Sequence, residues 1–139
     1  MNSSMVLDAA VAIAWFVRSQ GDDKTVALLD RVDEGWSVVV PALWLFEVAN
    51  SLLILCRRKV IDEVQYQRSR SELNNLRPVV DDEGLQLALS GTSDLARIQA
   101  LSVYDATYLE LALRRGLPLA SRDSALNKAA KRAGIRTLL

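Results

Sequence analysis

The sequence predicts an α/β protein, a three-layer α/β/α sandwich built on a central parallel sheet. Short apolar runs alternate with longer stretches of helical periodicity through all 139 residues, the order expected of parallel strands joined by helical crossovers. The short runs are continuously apolar, as in Val38-Val39-Val40, so both faces of the strands are expected to be buried. No internal repeat and no linker interrupts this order, and residues 1–139 read as one domain.

Met5-Val6-Leu7 reads as a buried strand that passes directly into a helix over Ala9 to Val17. A second helix, Asp22 to Glu34, is ended by Gly35, whose missing Cβ suits a helix stop. Ser37 to Val40 is the second strand, and Pro41 divides it from a long apolar helix over Ala42 to Lys59. Asp62 to Asn75 is the next helix. Arg77 to Val80 is a third strand, followed by a helical stretch over Asp82 to Ala100 that breaks near Gly91. Ser102 to Arg115 is a helix closed by Gly116, Leu117 to Ser121 the fourth strand, and Asp123 to Ala133 a helix closed by Gly134. Ile135 to Leu138 reads as a last short strand. Trp36 to Cys56 is long enough to cross a membrane, but Pro41 and the charge of Glu47 make it a strand, a turn and a helix, so no membrane span is expected. Met1 to Met5 carries no basic residue and Asp8 breaks the apolar run behind it, so no targeting signal is read.

Composition narrows the chemistry. Half the residues are apolar and 24% are charged, which excludes a disordered or low-complexity chain. Lys plus Arg is 17 and Asp plus Glu is 17, so nucleic acid would have to be held by a local basic patch and not by bulk charge. The single cysteine, Cys56, excludes a disulfide framework and a cysteine zinc site, and fits a reducing cytoplasm. There is no histidine at all. That removes His-based triads, imidazole acid–base pairs, haem ligation and His–zinc sites together, so an enzyme of this sequence must work through carboxylates, with a hard metal ion beside them.

Ligands of parallel sheets sit outside the carboxyl ends of the strands, so acids at those ends are the candidates. Asp8 closes the first strand and Asp123 lies just past the fourth. Asp105 opens the Ser102 helix, and Glu47 sits in the first turns of the long apolar helix. Taken singly, each aspartate is accounted for as a helix cap, with Asp105 forming a capping box with Ser102. Glu47 is harder to dismiss. Leu43 to Phe46, Val48, Ala49 and Leu52 to Leu55 make its helix apolar nearly all round, so the helix reads as largely buried, and a buried carboxylate demands a partner. Asn50 and Ser51, one turn on, extend a polar stripe that points at a metal, a water or an Arg; a structural salt bridge is the plainer alternative. Four acids without a histidine suit an oxygen-ligated Mg²⁺ or Mn²⁺, which relieves their mutual repulsion and lowers the pKa of a bound water.

The acids lie in segments that resemble the PIN-domain ribonucleases, and among them the VapC-type toxins of toxin–antitoxin pairs. Val6-Leu7-Asp8-Ala9 with Val11 to Phe16 resembles the first motif of that family, and Phe46-Glu47-Val48-Ala49-Asn50-Ser51-Leu52 the second. Tyr104-Asp105-Ala106-Thr107-Tyr108-Leu109-Glu110-Leu111-Ala112 resembles the third, and Ser121-Arg122-Asp123-Ser124-Ala125-Leu126 the fourth. The resemblance covers nearly the whole chain and implies a parallel sheet of roughly five strands. It also implies metal-dependent endoribonuclease activity, with Asp8, Asp105 and Asp123 as metal ligands and Glu47 acting through a water. Ser121, Asn50 and Asn127 would support that shell. The chain departs from the family at Ala10, where a Ser or Thr is frequent, and keeps only the hydroxyl of the usual Thr at Ser121. VapC-like proteins form homodimers and bind an antitoxin whose helical tail lies in an apolar groove, so both partners are expected.

Between Arg114 and Arg136 stand seven basic residues and one acid. Arg122, Lys128 and Lys131 are the candidates for gripping RNA phosphates, while Arg114 and Arg115 are explained as cations at a helix C-terminus. Trp44, Leu45, Leu52, Leu53 and Leu55 are expected to exceed what the core can cover and to mark a protein interface. The main rival function is a non-catalytic α/β interaction module whose acids are only caps and pairs. A phosphoacceptor receiver domain lacks its acidic pair and its Lys here, and a haloacid-type phosphatase lacks the second Asp, because Ala10 stands in its place.

Overall fold

The computed structural model describes residues 3–139. Met1 and Asn2, the start of the stretch read above for a targeting signal, lie outside the described residues. In chain order the elements are β1 (Ser4–Leu7), α1 (Ala9–Phe16), α2 (Asp23–Asp33), β2 (Ser37–Pro41), α3 (Leu43–Arg57), α4 (Glu63–Asn75), β3 (Val79–Asp81), α5 (Ser93–Gln99), α6 (Val103–Arg115), β4 (Leu119–Ala120) and α7 (Ser124–Arg132). The four strands form one parallel sheet in the order β3-β2-β1-β4, with helices on both of its faces, the three-layer sandwich the sequence predicts. Parallel pairing sends every strand's carboxyl end to the same edge. β1 lies inside the sheet, with Val6 opposite Val39 on one side and Leu119 on the other, and its Met5, Val6 and Leu7 are fully buried.

Several boundaries differ from the sequence reading, each for a local physical reason. The third strand begins at Val79, not Arg77. Arg77 adopts a left-handed φ of 50° behind α4, and Pro78 has no amide to give a neighbouring strand. It is an edge strand, so Val79 and Val80 are exposed while Asp81 is buried, the reverse of what hydropathy suggests. The fourth strand shrinks to Leu119–Ala120. The expected fifth strand, Ile135 to Leu138, is reduced to one parallel bridge between Leu119 and Thr137, held by the amides of Leu119 and Leu138. The stretch from Asp82 to Ala100 is not one helix. It runs as a 3-10 turn over Gly84–Leu87, a π turn over Ala88–Thr92 and then α5.

The long helix also differs from its reading. In α3 only Trp44, Val48 and Leu52, at i, i+4 and i+8, are buried. Ala49 and Asn50 on the opposite side are exposed, so the helix lies on the sheet and is not buried all round. Trp44 and Leu52 therefore belong to the core, not to an exposed patch; of the interface candidates Leu45 is exposed, and Leu53 and Leu55 are half-covered. Among the described residues no helix is long and apolar enough to cross a membrane.

Candidate active site

Asp8 follows β1 at the carboxyl edge of the sheet. It occupies the N-cap position of α1, yet its side chain makes no capping bond; it turns instead to Ser121, whose hydroxyl donates to Asp8 Oδ2 at 2.7 Å. The Ser121 hydroxyl also accepts the Asp123 amide at 3.0 Å, so one buried oxygen fixes the turn after β4 against the end of β1. The simple cap reading thus fails for Asp8. For Asp123 it holds in part, since Asp123 Oδ1 accepts the Leu126 amide at 2.8 Å as the N-cap of α7. Ser102 caps α6 by accepting the Asp105 amide at 3.0 Å, which sets Asp105 in the helix's first turn.

Glu47 lies on α3, and its partner is one the sequence reading gave no role. The Tyr108 hydroxyl, on α6, donates to Glu47 Oε1 at 2.5 Å, and the Tyr108 ring is 1% exposed. The signal was present in the spacing, because Tyr108 follows Asp105 by three residues and so stands on the same helix face.

The electrostatics set these acids apart. Burial raises the pKa of Asp8 above the ordinary aspartate value, against the lowering effect of the Ser121 hydroxyl, and the charge of Asp123 raises it further. Burial likewise raises Glu47; its bond from Tyr108 opposes the rise, and the charges of Asp8 and Asp105 add to it. Asp105 is raised by burial and then by Asp123 and Asp8. The four acids thus form one mutually repelling set. Among the described residues the ion pairs all run through Arg114 and Arg115, to Asp81, Glu83 and Glu110, and none reaches this set.

Asp81 shows what a satisfied strand-end acid looks like. It closes β3 as Asp8 closes β1, and its side chain is equally placed by the rule that drew attention to Asp8, yet the sequence reading gave it no role. Arg114 pairs with its Oδ2 at 2.7 Å and Arg115 with its Oδ1 at 3.0 Å, while the Gly84 amide donates to Oδ2 at 2.8 Å. A Cβ at Gly84 would sit 2.8 Å from that oxygen, so only glycine allows the approach. The Arg114 hydrogen bond leads in lowering Asp81 to a pKa of about 2, with the Gly84 amide and then Arg115 adding to it. Arg114 and Arg115 are therefore the clamp on Asp81, not merely cations at a helix end.

The donor set at the Asp8 edge suits a hard cation. It is oxygen only, carries several negative charges and, among the described residues, receives no arginine or lysine. Asn127 adds an acceptor: its Nδ2 donates to the Ser121 carbonyl at 2.8 Å, while its buried Oδ1 has no partner. The carboxylates are not already drawn together, however. Among the described residues no three acidic side chains form a group able to hold a metal ion as they stand, so closing round an ion requires side-chain rotation. Asn50 is exposed and makes no hydrogen bond to any of the four acids. Arg122, Lys128 and Lys131 are exposed on and beside α7, and Arg122 acts on Asp22, at the start of α2, whose carboxyl is lowered first by the Thr25 amide.

A family model described as PIN domain matches residues 5–132. The fold is similar to that of PAE2754 from Pyrobaculum aerophilum, with a TM-score of 0.69, 22% identity and coverage of 99% of this chain and 92% of that one. It is similar to FitAcB from Neisseria gonorrhoeae, with a TM-score of 0.67, 19% identity and coverage of 96% and 95%. It is also similar to a toxin-antitoxin complex from Klebsiella pneumoniae, with a TM-score of 0.66, 19% identity and coverage of 97% and 98%. No curated protein matches the chain.

Proposed function

From the premise that the chain belongs to the PIN domain family, we propose that it is a metal-dependent endoribonuclease, the toxin of a VapC-type toxin–antitoxin pair acting in the cytoplasm. The observation that carries this reading is a set of carboxylates at one sheet edge, raised by burial and by one another, to which no basic side chain is paired among the described residues. Asp8, Asp105 and Asp123 would hold Mg²⁺ or Mn²⁺, and Glu47 would take a water beside it. A bound ion would supply an activated water as the nucleophile for phosphodiester hydrolysis. Ser121 keeps Asp8 oriented through the 2.7 Å bond, and Asn127 offers its free Oδ1 to a donor near the same turn. Arg122, Lys128 and Lys131 would hold the RNA backbone by charge. Without a histidine the imidazole-assisted attack of a 2′-hydroxyl has no residues to perform it.

The partner reading rests on the solved relatives. The similar Klebsiella pneumoniae structure is a toxin-antitoxin complex. We assign such a partner to the groove of about 510 Å³ between α3 and α4, whose rim carries exposed Leu45 and Ala49 over a floor of the core residues Trp44, Val48, Leu52 and Leu73. An antitoxin arginine reaching the unpaired carboxylates would neutralise them bidentately and displace the ion.

The test is cleavage of single-stranded RNA by the purified chain. Cleavage with Mn²⁺ or Mg²⁺ that stops in excess chelator and leaves 5′-phosphate and 3′-hydroxyl ends is expected. Asp8→Asn keeps the volume, removes the charge and lowers the rate by at least ~10²-fold. Cleavage that persists in chelator or leaves cyclic phosphates defeats the proposal. A folded chain that binds no Mn²⁺ by calorimetry points instead to the non-catalytic interaction module.

A further inference from the structure

We propose that Tyr108 is the positioning residue of the carboxylate edge, acting through its hydrogen bond to Glu47; the inference rests on the metal-binding reading above. The bond joins residues 61 apart in the chain and ties α6 to α3. Tyr108 is held by packing, with its ring in the core and its hydroxyl its one polar group. A phenol so fixed aims its proton in one direction. Glu47, by contrast, is a three-torsion side chain on a half-covered helix, and left to itself it samples several rotamers. By taking Oε1, Tyr108 selects one of them and leaves Oε2 as the single free oxygen. Asp105 stands one turn before Tyr108 on the same helix, so α6 places Asp105 directly and Glu47 through the phenol. Ser121 does the corresponding work for Asp8 from the other side of the edge. A bond that merely satisfied a buried hydroxyl would affect stability and nothing else, and that difference makes the role testable.

The experiment is calorimetric titration of Mn²⁺ into the wild type, Tyr108→Phe, Glu47→Gln and the double variant, with circular dichroism and melting temperature recorded for each. The expected result is Mn²⁺ binding by the wild type and binding weakened about 10-fold or more in a folded Tyr108→Phe. In the Glu47→Gln background the Tyr108 substitution should change affinity by no more than about 2-fold, because the group it orients is already altered. Wild-type affinity in a Tyr108→Phe protein that melts lower overturns the inference and leaves a structural bond only. A wild type that binds no Mn²⁺ overturns the functional reading itself, a distinct result. Should Tyr108→Phe not fold, 3-fluorotyrosine at position 108 reports the same contact in the intact chain. Its fluorine resonance is expected to shift on adding Mg²⁺ and to stay fixed in Glu47→Gln, and an unmoved resonance in the wild type overturns the role.

Discussion

Asp8 and Asp81 each close a strand at the same edge of one sheet, and their neighbours give them opposite chemistry. Two arginines hold Asp81 ionised, with a pKa of about 2. Its folded value lies below the unfolded one, so its stabilisation is present above the unfolded pKa and is lost as pH falls from about 4 towards about 2. We expect acid titration of the unfolding free energy to show a loss on the order of 2 kcal/mol across that window from this group, absent in Asp81→Asn. Asp8 has the reverse sign. Its folded pKa is raised, so stability falls as pH rises from its unfolded value to its folded one. Metal-free Asp8→Asn should therefore melt above the metal-free wild type at neutral pH. Added Mn²⁺ should raise the wild type and leave the variant unchanged. A variant that melts lower in chelator would show that Asp8 is a structural acid like Asp81.

At the scale of elements, helix ends determine where the functional side chains stand. α6 and α7 begin at side-chain caps, Ser102 and Asp123, and the first of these puts Asp105 in place. Gly116, φ 64°, and Gly134, φ 83°, take the left-handed turns after α6 and α7, whereas Lys59 after α3 and Arg77 after α4 enter the same region without being glycine. α5 ends on Ala100 at φ 55° and ψ 42°, where the Cβ is crowded by the next carbonyl. Ala100→Gly should stabilise the protein by about 1 kcal/mol, read as a higher denaturation midpoint at unchanged slope. A drop in midpoint would mean that glycine's extra freedom in the unfolded chain outweighs the relief of strain. The π turn over Ala88–Thr92 just before α5 has no account in the sequence beyond Gly91, near which the helix breaks.

At the scale of the whole molecule, not every large apolar side chain is taken into the core. Leu45 is 47% exposed and Phe46 75% exposed on α3, beside the buried stripe and next to Glu47. A pair of large apolar groups at the rim of a charged edge is the kind of surface that proteins cover. We expect a homodimer by light scattering at micromolar concentration, and Phe46→Glu to shift it towards monomer; a wild type that is strictly monomeric contradicts this. On the proposed function, a co-purified cognate antitoxin is expected to suppress RNA cleavage, and full activity in that complex would contradict the partner reading.

The alternation of apolar runs with helical periods was enough to determine the parallel α/β/α sandwich, because continuous burial of Met5 to Leu7 and Val38 to Val40 has few other solutions. The absence of histidine removes imidazole chemistry, a fact of composition that needs no fold. Asp8, Glu47, Asp105 and Asp123 were legible as candidates from strand ends, helix starts and their motifs. Their difference from Asp81 was not, because it depends on arginines 33 and 34 residues away that only folding brings to one acid and withholds from the other. Tyr108 was hidden for the same reason. A sequence records which groups are ionisable, while burial and long-range partners decide their charge, and those are properties of tertiary structure alone.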